Sequence, residues 1–158
     1  MNAAAHDPAV HLGRPNEPGR TLRRWWGVIT GVLVAAIFTE AVFAGAILSG
    51  AGWARPAHAA GAAVLIASTI AAGFVALATL RRIAHGARLG LTLLALGGVV
   101  FLQAAVGAMS AHGANLLWVH VPLGVALIGF AGQAAAVARR LGEDPSGNLV
   151  ELFEPRRA

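Results

Sequence analysis

The chain has 158 residues, of which 57% are hydrophobic and only 12% are charged. A water-soluble domain carries about a quarter charged residues. This composition therefore excludes a soluble single domain, and equally a disordered or nucleic-acid-binding chain despite the net charge of +5. All twelve cations are arginine, and there is no cysteine, which excludes disulfides, thiolate metal sites and covalently attached c-type haem.

Residues 1–24 are polar, include three prolines and read as a flexible arm. A cleaved signal peptide is disfavoured, because its apolar core would span only about 7–15 residues and the run that follows is longer. A bilayer core of about 30 Å needs about 20 apolar residues in helical form. Four stretches meet that length: 25–49, 56–80, 89–110 and 116–138. Only Glu40 and Arg55 are charged between Trp25 and Leu80, and nothing is between Leu89 and Ala138. Barrel strands would be half as long and would alternate. The expected fold is all-α, an integral membrane four-helix bundle. The tail, 141–158, contains the string Asp144 to Glu154, which resembles the last strand of glyoxalase-type domains, where Glu151 would stand as a metal ligand. A dozen residues bury no core, so the tail reads as a polar cytoplasmic extension.

Arginine sets the expected orientation. Arg20, Arg23 and Arg24 precede the first span, Arg81, Arg82 and Arg88 lie between the second and third, and Arg139 and Arg140 follow the fourth. The other two loops hold Arg55 alone. The positive-inside rule then places both termini in the cytoplasm of a bacterial inner membrane. Trp25 and Trp26 would mark the inner interface, Trp53 and Trp118 the outer one.

An ionisable group inside a membrane is costly and marks function by default. Glu40, Gln103 and His120 fall within spans, with His58, Arg55 and His112 near the outer ends. His85, His6 and His11 read as solvated. The pattern also repeats. Glu40 leads to Gly45, and His58 follows that glycine by thirteen residues; Gln103 leads to Gly107, and His120 follows by thirteen. Gly61 and Gly124 come soon after each histidine. Two hairpins thus each deliver one imidazole to the outer end of their second helix, in the manner of transporters built from repeats with a site at the repeat interface. With Pro56 in its first turn, the second helix puts His58 about 3 Å deep; with Asn115 as N-cap, the fourth puts His120 roughly 7 Å deep. Two such imidazoles can grip one planar macrocycle, for which Gly61, Gly107 and Gly124 would leave room. Arg55, three residues before His58, would meet a haem propionate. The plainer readings stand beside this. His58 can be interfacial, Arg55 can snorkel to a lipid phosphate, and His120 can bond Gln103 or a carbonyl across the bundle. His112 is the reserve ligand. Glu40, about 15 Å deep, reads as a proton relay or quinone contact, or as a carboxyl bonded to a neighbouring helix. Gln103 reads mainly as an interhelical hydrogen bonder.

The stretch Gln103 to Ala108, followed by Leu117-Trp118-Val119-His120-Val121-Pro122-Leu123, resembles one half of the haem A synthase family. The resemblance covers roughly residues 25–140. It implies four-helix halves with histidines on the second and fourth helices facing the outer side, and half-length members that assemble as dimers. His58 and His120, sixty-two residues apart, match the spacing of such a pair. The chain departs from the family in lacking cysteine and in carrying Arg55 where the family has a catalytic glutamate. The ligand positions carry over; the oxidative chemistry does not.

The sequence therefore points to one bis-histidine b-type haem in a subunit of a respiratory or photosynthetic membrane complex, serving electron transfer or structure. Its expected partners are membrane lipids, other membrane subunits or a second copy, and a quinone. The alternatives are a haem-modifying oxidase of the synthase type and a cofactor-free structural subunit. A stand-alone enzyme is the less favoured reading.

Overall fold

Thr30, Leu33 and Ile37 follow Trp26 at helical spacing, and all four are buried, so the first apolar run presents one stripe inward. The computed structural model describes residues 17–143. They form four long helices: α1 (Glu17–Leu48), α2 (Ala54–Leu80), α3 (Gly86–Ala111) and α4 (Leu117–Arg139). All four are long and apolar enough to cross a membrane, and the protein is a multi-pass membrane protein. Neighbours in sequence are neighbours in space: α1 packs on α2 and α4, and α3 packs on α2 and α4. Short connections force this antiparallel order.

Helix α1 starts eight residues before the apolar run, so 17–24 are helical rather than part of a flexible arm. Hydropathy marks where hydrocarbon ends, whereas arginine is a good helix former and carries the helix on. Arg23 there reaches Glu143 at 3.4 Å, and the Gly142 amide donates to the Ala84 carbonyl at 3.1 Å. The chain beyond α4 is thereby tied to both α1 and the α2–α3 turn. Residues 1–16, with His6 and His11, and the tail from 144, with Glu151, lie outside the described residues.

Pro56 sits in the first turn of α2, as expected. Asn115 is not the N-cap of α4. That position is Leu116, with no side-chain cap, and its carbonyl instead accepts from the amides of Val119 and His120 at 2.9 Å each. The tryptophans also divide differently. Trp25, Trp53 and Trp118 are exposed, but Trp26 is only 5% exposed and belongs to the core, because it starts the inward stripe of α1.

The α2–α3 interface is the closest. Leu94 fills the notch at Gly73, Leu77 that at Gly90, and Ile70 and Thr69 that at Gly97. Small residues allow such approach where lipid supplies no hydrophobic drive. The buried hydroxyls of Thr30 and Thr69 donate to carbonyls one turn back, Trp26 and Leu65, at 2.8 and 2.6 Å, so neither is left unpaired in the apolar core.

Candidate functional site

Each helix contributes one polar side chain to a single cluster at the end of the bundle away from the termini. Glu40 comes from α1, His58 from α2, Gln103 from α3 and His120 from α4, and all four line one cavity of about 310 Å³. The remaining wall is almost wholly apolar. It includes Leu48, Val121 and Val125, which are largely exposed, so the cavity opens sideways between α1 and α4. An apolar cavity with a few convergent polar groups is the usual form of a ligand site.

His58 is the fifth residue of α2 and His120 the fourth of α4, so both rings stand at nearly one depth. Their centroids are 6.5 Å apart and their planes cross at 84°. The His120 Nδ1 lies 3.1 Å from the Gln103 carbonyl oxygen. That oxygen only accepts, so Nδ1 carries the proton and Nε2 keeps its lone pair. Gln103 answers from its side chain, its Nε2 donating to the His120 carbonyl at 2.8 Å and standing 3.4 Å from His120 Nε2. Pro122 lies within α4 two residues beyond His120, where its missing N–H weakens the helical ladder, and the Gln103 amide braces the backbone beside that break.

Glu40 Oε2 and His58 Nδ1 face each other at 2.6 Å. The pair is off the hydrogen-bond line, and both atoms, like Gln103 Oε1, are buried without an aligned partner. Three such atoms around one cavity are the opposite of a satisfied core. The approach of Glu40 depends on Gly61, one turn beyond His58. A Cβ there would overlap the Glu40 carboxyl. Phe43 and Trp53, edge to face with centroids 6.0 Å apart, pin the end of α1 over the start of α2.

The expected glycines thus meet side chains of the facing helix. Gly61 makes space for Glu40, Gly107 for the His120 ring (2.7 Å from a Cβ to Cε1), and Gly124 for the Gln103 amide (3.0 Å). Arg55 is exposed one turn before His58, outside the cavity lining. His112 is the exposed C-cap of α3 and does not reach the cavity. His85 belongs to the opposite end, in the turn before α3. The contact that sequence reasoning missed is Glu40 with His58. Its signal was present in Gly61, a glycine one turn from a histidine on the face that meets α1.

Among the described residues no group of three or more His, Asp or Glu is placed to hold a metal ion. Two histidines are enough for haem, whose other ligands come from the macrocycle. The 6.5 Å between the ring centroids is long enough for one metal between two imidazole nitrogens, each about 2.0–2.1 Å from it. Ligating histidines also hold their second nitrogen on an oxygen; His120 does so through the Gln103 carbonyl, while His58 Nδ1 stands 2.6 Å from Glu40 Oε2 off the hydrogen-bond line. No family model matches the chain, and no curated protein or solved structure proved similar to it.

Proposed function

We propose that this protein is a b-type haem-binding membrane subunit in which His58 and His120 would ligate one iron. The observation that carries the reading is the pair of imidazoles. They stand on opposite helices at one depth with ring centroids 6.5 Å apart, the His120 Nδ1 on the Gln103 carbonyl oxygen and the His58 Nδ1 2.6 Å from the Glu40 carboxyl. Bound haem supplies a one-electron couple. The chain's own part is to orient both rings, to keep water from them with the apolar wall of the cavity, and to offer the exposed Arg55 to a propionate.

Arginine distribution orients the molecule with both termini in the cytoplasm of a bacterial inner membrane, and hence with the site near the outer face. One haem at one face does not carry electrons across the bilayer, so a further subunit or a second copy of this chain completes the path. The two hairpins read as a repeat whose interface holds the site, as the resemblance to haem A synthase halves implies. Those oxidases have a catalytic glutamate at the position of Arg55, so electron transfer or structural support is the favoured role.

A second reading, a bundle in which His120 serves only as an interhelical tie, is favoured by its contacts to Gln103. Spectra of the purified full-length protein separate the two. We expect a sharp reduced-minus-oxidised α-band, lost in His58→Ala and in His120→Ala. The near-perpendicular rings predict a low-spin ferric resonance of large g anisotropy. A chain purified from haem-replete cells with no absorption in either state would overturn the proposal.

A further inference from the structure

The two imidazoles are held by different chemistry. His120 leans on a neutral backbone carbonyl, His58 on the carboxyl of Glu40. Glu40 is the only acidic residue between positions 18 and 142, and three separate features serve its placement. Gly61 vacates the volume that its carboxyl fills. The Phe43–Trp53 contact fixes the end of its helix over α2. Its Oε2 is buried 2.6 Å from the His58 ring nitrogen, with no aligned hydrogen-bond partner among the described residues. A carboxyl placed at this expense in an apolar bundle has a purpose beyond packing.

We propose that Glu40 is the positioning residue for His58. By accepting from Nδ1 it fixes the ring with Nε2 free to ligate, and it makes the imidazole a stronger donor than its partner on α4. The inference rests on the haem reading above and adds an inequivalence between the two ligands. A carboxyl behind a ligating histidine raises the ligand's basicity, which favours the ferric state and lowers the reduction potential. His120, backed by an amide carbonyl, lacks this push.

The test uses the full-length protein in detergent, with haem content, visible spectrum and potential measured on each variant. Glu40→Gln keeps shape and an acceptor oxygen, so haem content is expected to hold while the potential rises. Glu40→Leu removes the acceptor and is expected to weaken haem binding about 10–100-fold. Gly61→Ala is the independent arm. Its Cβ displaces only the flexible end of Glu40, so the fold persists and the potential moves in the same direction as in Glu40→Gln. ¹⁵N spectra of histidine-labelled protein add a readout separate from haem: the Nδ1–H form of His58 is expected in the wild type and lost in Glu40→Leu. A haem-loaded wild type whose potential is matched by Glu40→Gln and by Gly61→Ala overturns the Glu40 assignment alone. A wild type that takes up no haem overturns the parent reading and this one together.

Discussion

His120 is the most constrained side chain of the site, because Gly107 and Gln103, one turn apart on α3, enclose its ring. A Cβ at position 107 would stand 2.7 Å from Cε1 and 3.2 Å from Nδ1, and the bond from Nδ1 to the Gln103 carbonyl stops the ring from swinging away. Gly107→Ala is therefore expected to cost about 1–3 kcal/mol, read as a lower thermal midpoint in detergent, and, on the proposed haem reading, to broaden the α-band. An unchanged midpoint and spectrum would show that the ring is free to move. Both histidines were legible from their equal spacing behind glycines. The partner of His58 was not, because depth along α1 alone does not reveal which residue of α2 faces Glu40. Glu40 lies eight residues below the end of α1, and His58 four residues inside α2. The backbones thus differ in depth by about 6 Å, a gap that a glutamate side chain spans. Counting rises down both arms of the hairpin brings them together; counting down one does not.

At the scale of elements, the existence of each helix followed from apolar length, while the ends did not. Arginine-bearing turns at 17–24 and 86–88 are helical although they lie outside the hydrocarbon-length runs. The pairing of helices was less legible still, since it is written in glycines whose neighbours a sequence does not name. Gly90 shows what such a notch contributes. A Cβ there would stand 2.6 Å from Leu77 Cγ and 2.9 Å from the Leu77 backbone nitrogen, and a backbone atom in a packed helix does not yield. Gly90→Val is expected to force α2 and α3 apart, lowering stability by about 1–3 kcal/mol or more. Gly98, on the same helix, has nothing within 4 Å of the place a Cβ would take, so Gly98→Ala is expected to be neutral or to stabilise by up to about 1 kcal/mol. Parallel unfolding curves of the two variants check both. Equal effects at the two sites would mean that helix propensity, and not the notch, governs this interface.

For the whole molecule, the polar cluster sits at one end with Arg55 beside it and the other described arginines sit at the opposite end, and that polarity gives the proposed function a direction. Arg81, Arg82, Arg88, Arg139 and Arg140 are exposed at the end that carries Arg23 and Glu143, whereas the cavity lies at the end that carries the exposed Trp53 and Trp118. On the proposed orientation, with the arginine-rich face in the cytoplasm, a donor or acceptor on the opposite side of the membrane would meet the His58–His120 end. The absence of cysteine makes this testable without first altering the protein. Ala87, at the start of α3, and Asn115, in the loop that follows it, are both exposed, so a cysteine at either place disturbs no buried contact. In intact cells a membrane-impermeant maleimide is expected to label Asn115→Cys and to leave Ala87→Cys unmodified until the membrane is opened. The reverse pattern would put the site at the cytoplasmic face, and with it any redox partner. Equal labelling of both in intact cells would mean that the chain inserts in two orientations, which the arginine bias of its loops opposes.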